Sequence, residues 1–242
     1  MKKLLLAALW ICTTALANIA LADIGELGMQ NFMSYMQNST NQTIADSMAN
    51  QQASAESSKT SKAKAAPASN LKYATSAARS RINLANYAAK TFDNDPEGAK
   101  KMVANFTSSD MIGQAGKWLA SNGLRADDIS HVYTAWLMIS WQAANSATEG
   151  FDQATTQAVK AQAAGWFLGS PKLAAFTDVK KQEIAEVLLL ETIRIAAERA
   201  TAANDRQKLQ QLAVSTKKTA SLFGIELNAL MLTAEGFKSK GR

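Results

Sequence analysis

The chain has 242 residues and a mass of 25.9 kDa, with 47% apolar and 19% charged residues and only 3 Pro and 12 Gly. Apolar residues in that proportion build one sizeable core, which excludes a wholly disordered or collagen-like chain. The net charge of +6 falls to +4 once Lys2 and Lys3 leave with the N-terminal leader, so the overall cationic bias is mild.

Residues 1–22 read as a secretory signal peptide. Lys2 and Lys3 form the basic start, Leu4 to Ile11 the apolar run, and Ala20 and Ala22 the small residues a signal peptidase accepts before Asp23. Cleavage after Ala22 is the expectation. Cys12, the chain's one cysteine, lies inside this leader, so the mature chain offers no disulfide and no thiolate ligand or nucleophile.

Residues 23–50 form a short Met-rich segment in which Ile24, Leu27, Met29, Phe32, Met33 and Met36 suit an amphipathic helix. Residues 51–69 (QQASAESSKTSKAKAAPAS) hold, Pro67 apart, no apolar side chain larger than alanine and cannot repay the entropy of ordering, so they read as a flexible linker. From Ser57 to Phe92 the only charges are Lys59, Lys62, Lys64, Lys72, Arg79, Arg81 and Lys90, and the tail adds Lys238, Lys240 and Arg242. One end of the folded part is therefore expected to be basic, suited to weak contact with an anionic envelope surface rather than to nucleic acid.

The remaining residues, 70–242, are read as a helical domain. Leu71, Ala74, Ala78, Ile82, Ala85 and Ala89 recur at three and four and predict the first helix and its buried stripe. Asp95-Pro96-Glu97 is an N-cap, first-turn proline and acidic first turn, opening a helix with Met102, Val103 and Phe106. Ser109 or Asp110 caps a third, which carries Trp118 and Leu119 and stops at Gly123.

Residues 127–145 are apolar almost all round, which places that helix at the centre of a bundle. A fifth helix spans about 152–168 and is broken at Ser170-Pro171. Thr177 opens the longest, to about Ala203, and Asn204 the last, to near Gly224. Alternating β-branched runs and Asn-Gly hairpins are missing, so the predicted fold is all-α, an irregular bundle of about six or seven helices.

The candidate chemistries are few. His131 is the single histidine, which leaves a usual zinc or copper site without ligands in one chain. Asp93-x-Asp95-x-Glu97-Gly98 resembles the start of a calcium loop but has Lys101 at its ninth position and Ala104 at its twelfth. No metal and no cofactor is expected. Asp127 stands one turn before His131, yet no nucleophile elbow accompanies them, and phosphate-binding glycine loops are missing.

A two-carboxylate cell-wall hydrolase or lyase needs less. Its candidate is Glu191, which lies within about 60° of the apolar stripe centred on Leu188, where burial would raise the carboxyl for general acid work. The alternative for Glu191 is an ion pair with Arg194 or Arg125, or a side chain that reaches solvent at the edge of the stripe. Trp118, Trp136, Trp141, Trp166 and Tyr133 have a spacing that points first to core packing and second to a sugar or lipid pocket.

Leu124-Arg125-Ala126-Asp127-Asp128, Tyr133-x-x-Trp136-x-x-x-x-Trp141 and Leu230-Met231-Leu232-Thr233-x-x-Gly236-Phe237 together resemble a family of exported Gram-negative bacterial proteins of unassigned function, over about residues 70–238. The resemblance implies export and a helical domain, and no activity. The expected function is that of a non-enzymatic periplasmic or secreted binding or scaffold protein, which docks on another envelope protein through residues 23–50. The Glu191 hydrolase or lyase is the alternative.

Overall fold

The computed structural model describes residues 71–92, 94–148, 150–169, 175–223 and 225–240. The leader, the Met-rich segment, the linker, Asp93, the Ser170-Pro171 break and Gly224 lie outside the described residues. Within them the chain forms α1 (Ala77–Thr91), α2 (Pro96–Ser108), α3 (Met111–Ser121), α4 (Ile129–Ala144), α5 (Gln153–Gly169), α6 (Asp178–Thr201) and α7 (Arg206–Leu222). A 3₁₀ turn (Leu227–Ala229) follows, and then the strands β1 (Leu230–Thr233) and β2 (Gly236–Ser239). The all-α bundle is the architecture found.

Helix α4 is central because its sequence leaves it no polar side: only His131 and Trp141 of its sixteen residues are not buried. Asp128 starts it, accepting from the backbone N–H groups of Ser130 and His131. The most extensive packing in the molecule joins α4 to α6, and α5 and α7 cover its other flanks. Tyr133 of α4 meets Trp166 and Phe167 of α5 edge-on at 5.8 and 5.6 Å, and Trp136 meets Phe223 at 5.3 Å. Such aromatic contacts are the expected geometry of a packed core.

Three of the long helices point the same way. Ser76, Asn83 and Tyr87 pair with Gln182, Glu186 and Glu191 in ascending order, so α1 runs parallel to α6. The starts of α4 and α6 lie side by side, since Lys72 bridges Asp128 while its carbonyl accepts from Lys181 Nζ at 3.2 Å. At their far ends Arg199 of α6 donates to Gln142 and to the Ala147 carbonyl.

Two expectations are corrected. The buried face of α1 is Asn83, Leu84, Tyr87, Ala88 and Thr91, whereas Ala78, Ile82, Ala85 and Ala89 face solvent. Ala74 is exposed as well, in the extended stretch before the helix, which begins at Ala77 rather than near Leu71. The polar residues Asn83 and Tyr87 turn inward because they have carboxylate partners on α6, and alanines lose little by facing water.

The second correction concerns the chain's end, which is not helical to the last. β1 and β2 form a two-stranded antiparallel hairpin that pairs Leu230 with Ser239 and Thr233 with Gly236. The turn Ala234-Glu235 carries no glycine or asparagine. Thr233 holds it instead, with its hydroxyl donating to the Gly236 carbonyl and accepting from Glu235 N–H. Gly236 sits at φ +98°, which a side chain adopts only under strain.

Candidate functional site

The seam between α1 and α6 gathers the polar groups that elementary patterning would place outside. At its start Gln182 grips the main chain of Ser76, accepting from its N–H at 3.1 Å and donating to its carbonyl at 2.9 Å. One turn on, the buried carboxylate of Glu186 accepts from Ser80 Oγ at 2.5 Å, Asn83 Nδ2 at 2.6 Å and Gln182 Nε2 at 2.9 Å. Three neutral donors thus stand where a counter-ion is more usual for a buried carboxylate.

Beyond that lies Glu191, only 3% exposed. Its Oε1 accepts from the Tyr87 hydroxyl at 2.6 Å, and its Oε2 from Nε and Nη2 of Arg194 at 3.0 Å each. Arg194 reaches on to Glu198 at 2.7 Å. Burial raises the Tyr87 hydroxyl well above its ordinary range, and the neighbouring Glu191 charge adds to the shift. For Arg194 burial alone would favour the neutral form, but the carboxylates of Glu191 and Glu198 more than reverse it. The guanidinium stays charged.

The arrangement realises the ion-pair expectation for Glu191 with Arg194, and Arg125 is elsewhere. Arg125 forms a forked contact with Asp127, at 2.8 and 2.5 Å. That hydrogen bond holds the Asp127 carboxyl below its usual range. His131, in the first turn of α4, has its Nδ1 buried with no hydrogen-bond partner. Burial lowers its imidazole; the charge of Asp128 opposes the shift, and Lys160 and Arg125 reinforce it.

The aromatic residues lie where core packing would put them. Trp136 and Tyr133 are buried, Trp166 packs edge-on against Tyr133, and Trp118 is partly buried against the core. Trp141 meets Phe237 and donates from Nε1 to the Leu230 carbonyl at 3.0 Å, which ties the hairpin to α4. Asp95, from the calcium-like stretch, caps α2 by accepting from Gly98 N–H at 2.9 Å. Among the described residues no group of three or more His, Cys, Asp or Glu side chains is placed to hold a metal ion. No helix among them is long and apolar enough to cross a membrane.

Sequence reasoning missed residues 71–76. This stretch is fastened to two helix starts: Ile129 N–H donates to the Leu71 carbonyl, Tyr73 N–H to the Asp127 carbonyl and Ala74 N–H to Asp178. The Tyr73 hydroxyl adds a bond to the Ala126 carbonyl. The large aromatic Tyr73, between Lys72 and Ala74 and just after the linker, was the one available signal. Lys72, Arg81 and Lys238 are exposed and Arg79 and Lys90 half-buried, while Lys59, Lys62, Lys64 and Arg242 lie outside the described residues.

No curated relative matches the chain, and no solved structure matches it. The Arg125-to-Trp141 stretch, the α1–α6 seam and the terminal hairpin all fall within a single family match over residues 1–239, and the chain belongs to that family of unknown function, DUF6683.

Proposed function

We propose that this chain is an exported, non-enzymatic binding or scaffold protein of the Gram-negative envelope, in which the helical bundle anchors a tethered N-terminal segment that docks on another envelope protein. The observation that carries this reading is the fastening of residues 71–76. A flexible linker that merely trailed from a fold would need no such root, whereas a tether under load from a partner needs one tied to the core. Here the root is bonded to the starts of α4 and α6 and gripped by Gln182. The leader read in residues 1–22 and the Met-rich residues 23–50 supply the export and the docking surface of this proposal.

The chemistry of the seam supports the same reading. Tyr87 and Arg194 take both oxygens of Glu191, and three side chains surround Glu186. Carboxylates engaged in this way fix helix positions. The test is cross-linking in the envelope of the producing cell, with the full chain compared against a form lacking residues 23–69. A stoichiometric partner lost with the deletion supports the docking role, and an unchanged interaction profile overturns it. For the cell-wall alternative, Glu191→Gln is assayed on purified peptidoglycan beside the parent, and unchanged turnover dismisses Glu191 as acid or base.

A further inference from the structure

Helix α7 lies antiparallel to α4. Leu212 shares one apolar cluster with Ile139, Ala143 and Ile195, and eleven residues later Phe223 reaches Trp136. In that register Thr216 falls opposite Ser140, and Thr219 opposite Trp136. Each of these four residues carries a polar atom with no hydrogen-bond partner: Trp136 Nε1, Ser140 Oγ, Thr216 Oγ1 and Thr219 Oγ1. None of the four is more than 2% exposed.

The hydroxyls elsewhere in the bundle behave differently. Thr134, Thr156 and Thr192 each donate to the carbonyl one turn earlier, at 2.7, 2.9 and 2.7 Å. Thr216 and Thr219 make no such bond, and the register sets them beside a helix whose Trp136 carries an unpartnered indole N–H that can only donate. A buried polar group left dry destabilises a fold, and four of them together would cost a large share of an ordinary net stability.

We propose that the α4–α7 seam is an internal hydration site, in which an ordered water joins Trp136, Ser140, Thr216 and Thr219. The hydrogen bonds balance. The water accepts from Trp136 Nε1 and from one hydroxyl, and donates to the other two. Each of the four polar atoms gains one partner in this way. Buried waters make about three protein bonds, and this seam supplies four polar partners from uncharged side chains. The ligand class is a neutral donor–acceptor molecule of the size of water, and α7 is held to the bundle partly through it.

Thr216→Val keeps the shape of the side chain and removes only its hydroxyl, so the sign of its effect in the full chain tests the proposal. A bridging water loses a partner and Tm falls by about 2–4 °C. A dry seam loses an unsatisfied group instead, and an unchanged or raised Tm overturns the proposal. Thr219→Val gives the same reading should the first variant not fold. A crystal structure of the parent chain is the independent measurement. Density for a water within hydrogen-bonding reach of at least three of the four atoms supports the site. A seam closed by a direct Ser140–Thr216 bond, or one without such density, overturns it.

Discussion

Tyr87 of α1 donates its phenolic hydrogen to Glu191 of α6 at 2.6 Å, joining residues 104 positions apart in a fully enclosed contact. Removing that hydroxyl with Tyr87→Phe leaves one oxygen of a buried carboxylate unsatisfied, which costs about 1–3 kcal/mol. Arg194→Met strips the carboxylate of its charge partner, and breaking a buried pair from one side costs about 3–5 kcal/mol. Urea unfolding of the two variants should therefore rank Arg194→Met as the more damaging. The reverse order would mean that the ion pair is not what holds Glu191.

Gln162 of α5 exchanges two bonds with the main chain of Phe237, accepting from its N–H at 2.8 Å and donating to its carbonyl at 2.9 Å. Gln162→Ala removes both and is expected to cost about 1–3 kcal/mol at about 0.5–1.5 kcal/mol for each bond. Amide exchange in β2 should accelerate more than in α4. Gly236→Ala attacks the same place from the other side. Its Cβ would stand 2.4 Å from Gln162 Oε1 at a φ of +98°, so this variant should lose more than about 1 kcal/mol. Equal exchange rates in β2 and α4 of the glutamine variant would show that Gln162 does not clamp the hairpin.

Burial lowers the His131 imidazole below its ordinary 6.5, so the folded state favours the neutral ring. Between the two pKa values the unfolded chain binds more protons, and stability rises with pH there. The contribution is complete above about pH 6.5 and is lost as pH falls toward the folded-state value. Asp127, held low by Arg125, acts in the same direction in a lower window: its contribution is present above the unfolded value of 3.8 and lost as pH falls below it. With one histidine in the chain the upper window has a single imidazole owner. His131→Gln should flatten the urea midpoint between pH 7 and pH 5, and a slope identical to the parent's would remove His131 from the account.

The orientation of α1 makes a paired prediction. Leu84 lies in the core while Ile82, two positions earlier, is 47% exposed. Leu84→Ala should cost about 2–5 kcal/mol through lost burial and the cavity left behind. Ile82→Gln should stay within about 0.5 kcal/mol of the parent. Thermal unfolding distinguishes the two, and the opposite ranking would restore the face that alanine periodicity suggests.

What was legible in the sequence is local. Asp95 before Pro96 and Thr177 before the longest helix both cap the helices they were expected to open. A cap needs only its neighbours, so a short window contains the whole cause. The face of α1 was misread because its cause lies elsewhere. Asn83 and Tyr87 are inward only because Glu186 and Glu191 await them more than a hundred residues later. The hairpin was hidden for a similar reason, since Ala234-Glu235 carries no turn signature and the strand is held by Gln162 from another helix. Burial of Glu191 followed from the stripe on its own helix, and its partner Arg194, three residues away, was among the two considered.

The parallel course of α1 and α6 sets a timetable for the growing chain. An antiparallel hairpin of helices can close as soon as its second arm is made. The inward face of α1 instead has no hydrogen-bond partner on α6 until residues 182–191 have been synthesised. Loop closure over so long a separation is also entropically late. Ribosome-bound chains halted before residue 182 therefore present α1 unlatched, with its tyrosine and asparagine still open to water. The stretch that roots the N-terminal segment gains its α6 bonds only after more than two-thirds of the protein exists.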